Sequence, residues 1–212
     1  KRRSRGPPKG LSRSSSFYYR GEMPEEEQSG FKSGFISLIG RPNVGKSTLL
    51  NLLLGEKIAI VSDKPQTTRN RIRGILSLPD AQLVFIDTPG IHKPLHKMNE
   101  IMVNMALGTY NEVDAIMLLV EATEKPGGGD RFIIDSLAKI RTPVLLIINK
   151  VDLIAKERLL PRMQEYSTLY SFAEIIPVSA LRADLGKLMD AIVQRLPTGP
   201  KYFPDDQLTD QP

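Results

Sequence analysis

From residue 35 onward, short apolar runs alternate with longer stretches in which apolar positions recur at helical spacing. Six runs have the length of strands: residues 35–39, 72–78, 83–86, 115–120, 144–148 and 175–178. Five stretches have helical spacing: residues 46–54, 98–110, 131–140, 159–169 and 185–196. Strands that alternate with helices predict a mostly parallel sheet covered by helices on both faces, which is an α/β fold of three layers.

The connections between these elements give two further predictions. Pro79 and Asp80 separate the second and third runs, and both residue types favour tight turns. We therefore expect an antiparallel hairpin there, within a six-stranded sheet that is otherwise parallel. The glycines at 127–129 are expected to form a flexible turn before Asp130, whose side chain suits a helix N-cap.

The two ends of the chain differ from its centre. Residues 1–33 contain a Gly-Pro-Pro sequence, a serine run and an acidic cluster, and we predict a disordered basic leader. Residues 34–198 are predicted to form one domain, and residues 199–212 a linker. The leader is rich in Arg and Ser, as organelle transit peptides are, so an organellar form and nonspecific RNA contact stay open for it.

Composition changes this picture in one respect and excludes several kinds of site. The formal net charge is +5, but residues 1–20 hold seven of the 29 basic residues, and the other 22 face 24 acidic residues. The central domain is therefore not predicted to bind polyanions through charge alone. The chain has no cysteine, which excludes disulfides and thiolate chemistry. The apolar runs at 115–120 and 144–148 are too short to cross a bilayer.

The strongest chemical signal lies between the first predicted strand and the first predicted helix. Gly40 and Gly45, followed by Lys46 and Ser47, match a phosphate-binding loop in the strand–helix context that this motif requires. The glycines let the backbone wrap a phosphate, and the helix N-terminus adds partial positive charge. We expect Lys46 to reach the β- and γ-phosphates and the Ser47 hydroxyl to bind Mg²⁺. The other predicted phosphate-binding residues are Asn43, Val44 and Thr48.

A second motif predicts which base is bound. Asn149, Lys150 and Asp152 follow the strand at 144–148, about 100 residues after the phosphate loop. A carboxylate at Asp152 can accept hydrogen bonds from both donors of guanine, whereas adenine has no such pair and would leave the carboxylate unpaired. We expect Asn149 to brace the loop, Lys150 to lie over the base, and Ser179 and Ala180 to contact the guanine oxygen. The predicted ligand is therefore GTP or GDP.

A third motif follows the strand at 83–86 and is predicted to be a switch segment. It consists of Asp87, Thr88, Pro89, Gly90 and Ile91. We expect Asp87 to hold Mg²⁺ through water and the Gly90 N–H to sense the γ-phosphate. Ras-type enzymes place a water-orienting glutamine where this chain has Ile91, so slow hydrolysis is expected unless another device assists.

Residues 62–69 are predicted to form the other switch, because a threonine there can bind Mg²⁺ when the γ-phosphate is present. Thr68 is the preferred ligand, and Thr67 stays an alternative. Lys46, Thr68 and Gly90 are thus the predicted catalytic residues. No arginine finger can be assigned: Arg69, Arg71 and Arg73 are candidates only because they are near in sequence, and surface charge is the favoured role for them.

Taken together, these motifs resemble those of the TrmE–Era–EngA group of translation-factor-related GTPases, and the Era GTPases in particular. The stretches that carry the resemblance are residues 40–51, 66–69, 87–92 and 149–152, with the tail segment at 202–206. The resemblance extends over about residues 34–212. The Gln-Thr-Thr-Arg sequence at 66–69 and the tail point to Era, whereas the other motifs are shared by many GTPases.

The resemblance implies a GTP-hydrolysing switch that acts in small ribosomal subunit assembly and ribosomal RNA maturation. It implies a C-terminal RNA-binding KH domain and contact with small-subunit ribosomal RNA through that domain. We expect the KH domain to be absent from these 212 residues, either because they are a fragment or because the protein has lost it. It also implies a cytoplasmic protein with peripheral contact to the inner membrane. Relatives with an asparagine in the phosphate loop use K⁺ as an activator, and Asn43 matches that position. A related GTPase with another output, in tRNA modification or as the G domain of a membrane transporter, stays the alternative.

Overall fold

The computed structural model describes residues 30–55, 71–87, 110–180 and 185–204, with only the backbone at Arg71, Arg73 and Asp87. Its strands are β1 Lys32–Ile39, β2 Arg71–Ser77, β3 Ala81–Asp87, β4 Ala115–Glu121, β5 Val144–Asn149 and β6 Glu174–Pro177. Its α-helices are α1 Lys46–Leu54, α2 Gly128–Leu137, α3 Leu159–Ser167 and α4 Gly186–Arg195. Two short 3-10 helices occupy Val151–Leu153 and Lys156–Arg158. Among the described helices, none combines the length and the apolar character needed to cross a membrane.

The six strands form a single sheet in the order β2-β3-β1-β4-β5-β6. β1 lies near the centre and pairs in parallel with β3 and β4, while β5 and β6 extend the parallel part. β2 and β3 are antiparallel and are joined by a tight turn in which the Leu78 N–H donates to the Ala81 carbonyl over 2.7 Å. The predicted fold class, including the hairpin at Pro79 and Asp80, is confirmed.

Successive residues of the central strands point to two separate cores, which explains why these strands are continuously apolar. In β4, Met117 and Leu119 face one core, and Ile116 and Leu118 face the other. Helices α1 and α4 cover the first face, and α2 and α3 cover the second. A strand buried on both faces has no reason to alternate apolar and polar residues.

Three of the four described helices lie within two residues of their predicted bounds, whereas α2, predicted at 131–140, spans Gly128–Leu137. Helix α1 has the predicted bounds, whereas α2 begins at Gly128, three residues before the predicted start. Asp130 is therefore not the N-cap, and that prediction was wrong. It lies at the third helical position, from which its carboxylate accepts a hydrogen bond from the Gly127 N–H over 3.1 Å. A carboxylate at this position satisfies an N–H that the helix cannot bond. The helix predicted at 98–110 lies almost entirely outside the described residues.

The segment that follows α4 packs on the sheet as far as it is described. Gln82, fully buried at the start of β3, accepts hydrogen bonds from the N–H groups of Tyr202 and Phe203, both at 2.9 Å. Its amide group donates to the Phe203 carbonyl at 2.8 Å and to the Ser77 hydroxyl at 3.0 Å. β1 also begins at Lys32, inside the predicted leader. The ordered unit thus includes residues on both sides of 34–198, while the division into leader, domain and linker stays a prediction.

Candidate nucleotide-binding site

The predicted site residues that the structure describes lie at one edge of the sheet. The phosphate loop follows β1, Asn149 ends β5, and Ser179 and Ala180 follow β6. β1 lies between β3 and β4, so the chain leaves its carboxyl end at the point where the strand order reverses. Ligands of open α/β sheets bind at such a point.

The backbone of the phosphate loop requires glycine at two positions. Gly40 has φ 146° and Gly45 has φ 99°, both in the region that other residues rarely adopt. A Cβ atom at Gly40 would collide with the Leu119 carbonyl oxygen, and one at Gly45 would collide with the Asn149 side-chain amide. Asn43 has φ 65°, a left-handed conformation that asparagine tolerates. The loop is therefore tightly curved and held against both β4 and β5.

Lys46, the first residue of α1, folds its side chain back over the start of the loop. Its ammonium group donates to the carbonyl of Gly40 at 2.8 Å and to that of Arg41 at 2.6 Å. Ser47 and Thr48 are exposed in the first turn of the helix, where backbone N–H groups lack intrahelical acceptors. A cation beside a helix N-terminus suits the phosphates of a nucleotide.

Asn149 joins the phosphate loop to the predicted base loop. Its buried side-chain amide donates to the Val44 carbonyl at 2.9 Å, and its oxygen accepts from the Ala180 N–H at 3.1 Å. One side chain thus connects the loops after β1 and β6. Asn149 is predicted to brace the base loop, and the structure places it in contact with Val44 and Ala180.

Lys150 adopts a left-handed conformation with φ 62° and forms an ion pair with Glu121, at 2.9 Å between Nζ and Oε2. The Thr123 hydroxyl donates to the other Glu121 oxygen at 2.6 Å. This hydrogen bond, together with Lys150, lowers the pKa of Glu121 below its ordinary value, so the carboxylate is charged at neutral pH. Sequence reasoning missed Glu121 and Thr123, although an acidic residue ending the strand next to β5 was a usable signal.

The remaining residues of the base loop differ in burial. Asp152 lies half-buried in the 3-10 helix Val151–Leu153. Ser179 and Ala180 are buried, and the Ser179 hydroxyl has no hydrogen-bond partner among the described residues. A buried hydroxyl of this kind favours a polar neighbour such as a ligand.

The switch predictions fall mostly outside the described residues. These are Thr67, Thr68, Arg69, Thr88, Pro89, Gly90 and Ile91. Asp87 is described only in its backbone, where it ends β3 next to β1. Arg71 and Arg73 are likewise described only as backbone of β2. Their predicted roles stay predictions.

Comparison with known proteins agrees with this geometry. GTPase Era of Geotalea daltonii is 60% identical over 183 residues, which are 86% of this chain and 62% of that protein. A structure of Era in complex with MgGDPNP and nucleotides 1506–1542 of 16S ribosomal RNA has a TM-score of 0.71 and 40% identity, and the match covers 86% of this chain and 63% of that one. A variant of Aquifex aeolicus Era bound to GDP·AlF₄⁻ has a TM-score of 0.70 and 39% identity, with the same coverage.

The extent of these matches differs between the chain and its relatives. The chain spans about 62% of the length of the curated GTPase Era protein that it matches. The sequence model of a GTPase family, described as 50S ribosome-binding GTPase, matches residues 35–150. That match contains the phosphate loop, the third motif and the first two residues of the base motif. This chain belongs to the 50S ribosome-binding GTPase family.

Proposed function

We propose that this chain is the GTP-binding and GTP-hydrolysing part of a switch protein of the Era type, which acts in small ribosomal subunit assembly. The observation that carries the nucleotide part is the bridge made by Asn149, which holds the loop carrying Lys46 beside the loop of Asp152. A nucleotide spans such a pair of loops, with its phosphates on the first and its base on the second.

The residues present fit a magnesium ion. The Ser47 hydroxyl lies exposed in the first turn of α1, and Asp87 ends the strand adjacent to β1. Hydroxyl and carboxylate oxygens are the ligands that Mg²⁺ prefers. Bound with GTP, the ion would neutralise charge on the β- and γ-phosphates. Thr68, or Thr67 as the alternative, is proposed as the ligand that detects the γ-phosphate, and the Gly90 N–H as its second sensor.

Hydrolysis in this proposal depends on positioning and charge, since Ile91 can neither orient water nor transfer a proton. Lys46 supplies one cation, held over the loop by the two carbonyl groups it contacts. Asn43 is exposed in the loop and provides an amide oxygen suited to K⁺. A potassium ion there would add the positive charge that an arginine finger gives other GTPases.

The potassium proposal is tested by comparing turnover in matched K⁺ and Na⁺ buffers. We expect faster phosphate release in K⁺, and an Asn43→Gly variant, which tolerates φ 65° but has no amide, that has lost the difference while still binding GDP. Equal turnover of the unchanged protein in both buffers would contradict a role for K⁺.

The base assignment is tested with Asp152→Asn. An asparagine presents one donor and one acceptor, which suits xanthine better than guanine, so we expect GTP affinity to fall by roughly a thousandfold and the preference to shift to xanthosine triphosphate. Binding is measured by competition against a fluorescent nucleotide. Asp190→Asn, at an exposed position of α4, is the matched control and should leave both affinities unchanged. An unaltered preference in Asp152→Asn would refute guanine selection by this residue.

The ribosomal part of the proposal is supported by relatives that are longer than this chain. One solved Era contains a fragment of 16S ribosomal RNA, and we propose the same class of partner, contacted mainly through a KH domain that follows the linker at 199–212. A cytoplasmic location with peripheral membrane contact is part of this proposal. Depletion of the protein in its own cells should reduce mature small subunits relative to large ones in gradient profiles; an unchanged ratio would count against it.

A further inference from the structure

The side chain of Arg41 ends against two carboxylates, that of Glu124 before α2 and that of Asp130 within it. Its Nε lies 2.8 Å from Asp130 Oδ1, and its Nη2 lies 2.9 Å from Glu124 Oε2. The two partners differ in surroundings: the Asp130 side chain is 1% exposed and that of Glu124 is 60% exposed. A buried carboxylate depends on its cation far more than an exposed one does.

Asp130 uses its second oxygen to fix the start of α2. Oδ2 accepts the Gly127 N–H at 3.1 Å, and the buried hydroxyl of Tyr166 approaches the same oxygen at 3.4 Å. The carboxylate is therefore held by α2 and approached from α3 before it meets Arg41. Because its neighbours fix it, Asp130 is a rigid anchor for the guanidinium group.

The glycine run explains how the arginine reaches this anchor. A Cβ atom at Gly129 would lie only 2.7 Å from Arg41 Cδ, whereas one at Gly128 would meet nothing within 4 Å. The arginine stem thus lies directly over the backbone of the first turn of α2. Glycine at 129 permits this close approach. This explains one of the three glycines at 127–129, which the sequence pattern alone did not.

The same arginine connects the anchor to the catalytic lysine. Lys46 donates to the backbone carbonyls of Gly40 and Arg41, so these two carbonyls help to hold its ammonium group in place. We propose that Arg41 and Asp130 are positioning residues that set the placement of Lys46 against the β-phosphate. This rests on the proposed nucleotide function and deepens it: Arg41 acts through the loop backbone and is not itself a phosphate ligand.

The experiment compares GDP with GMP, because only GDP carries the β-phosphate that Lys46 contacts. In Asp130→Asn we expect the ratio of GDP affinity to GMP affinity to fall about tenfold, the size expected for losing a buried charge-assisted hydrogen bond. Gly129→Ala should lower the ratio in the same direction. Glu124→Gln and Gly128→Ala are the matched controls and should leave it within about twofold.

A purely structural role for the anchor would lower thermal stability while leaving the ratio unchanged, and that result would overturn the proposal. Arg41→Lys keeps the charge but loses the paired N–H donors of the guanidinium group, so the ratio of GDP affinity to GMP affinity should fall less than in Asp130→Asn. A full drop of this ratio in Asp130→Asn with no drop in Arg41→Lys or Arg41→Ala would also overturn the proposal. Gly129→Ala serves if Asp130→Asn does not fold. Failure of the proposed function is recognised separately, since the unchanged protein would then show no preference for GDP over GMP.

Discussion

The loops at the carboxyl ends of the parallel strands (the carboxyl edge) and the residues at their amino ends (the amino edge) differ in backbone conformation and in how their polar groups are used. At the carboxyl edge, the loops contain left-handed residues at Gly45 and Lys150, and Asn149 joins one loop to the next. At the amino edge, the buried amide of Gln82 uses both its donor hydrogens and its acceptor oxygen within the protein.

The difference separates function from stability. Strained backbone persists only where its surroundings impose it, and it concentrates at sites that bind ligands. A fully satisfied buried amide stabilises one arrangement and has no capacity left for a ligand. Substitutions at the carboxyl edge should therefore change nucleotide binding, and substitutions at the amino edge should change stability.

The largest effect is expected from Gly45→Ala. Alanine at φ 99° is strained, and its methyl group would collide with the Asn149 amide that joins the two loops. We expect GDP affinity to fall by roughly a thousandfold, the equivalent of about 4 kcal/mol. Isothermal titration with GDP measures it. Gly128→Ala, where a methyl group meets nothing within 4 Å, is the control. Near-normal GDP affinity in Gly45→Ala would contradict the view that the backbone conformation of this loop is needed for nucleotide binding.

The position of the loops at the carboxyl edge was largely predictable, because their motif residues lie close together in the sequence at recognisable spacings. Gly40 and Gly45 lie in one loop, Lys46 follows directly as the first residue of α1, and the hydrophobic runs placed that loop between β1 and α1. Periodicity also gave the six strands, since burial on both faces needs continuous apolar runs. The start of α2 was less predictable, because the contact that fixes it is made by a carboxylate inside the helix.

What sequence reasoning missed depends on contacts between residues far apart in the chain. Gln82 meets Phe203, 121 positions away, and Arg41 meets Asp130, 89 positions away. From the sequence alone, a single glutamine in an apolar strand reveals neither how deeply it is buried nor which residue it bonds to. Glu121 was missed for a related reason: it reaches Lys150 only because β4 and β5 are neighbours, with Glu121 paired to Asn149.

A smaller effect, confined to stability, is expected from Gln82→Ala. The substitution would leave the N–H groups of Tyr202 and Phe203 without their buried acceptor and release the tail segment. We expect the free energy of unfolding to fall by about 2–3 kcal/mol, measured by urea denaturation, with GDP affinity unchanged. Gln164→Ala, at an exposed position of α3, controls for loss of an amide. A large drop in GDP affinity would show that the two edges are coupled.

The smallest effect is expected from Glu121→Gln, at the carboxyl edge. The glutamine keeps the size of the side chain but removes the charge that holds the Lys150 ammonium at 2.9 Å. Since Lys150 is proposed to lie over the base, a less well-fixed stem should weaken GDP and GMP binding equally. Partly exposed ion pairs contribute little, so we expect a loss of about threefold for both nucleotides and no measurable change in urea midpoint.

The control for this change lies away from the proposed nucleotide site. Glu174→Gln removes an ion pair with Arg195, at 3.0 Å, near the start of β6, and should leave both nucleotide affinities unaltered. Equal losses of GDP and GMP in Glu121→Gln would place its effect on the base, in contrast to the β-phosphate effect expected for Asp130→Asn. If Glu121→Gln instead lowered the affinity for GDP and not for GMP, Glu121 would affect contacts with the β-phosphate, and its effect could not be assigned to the base.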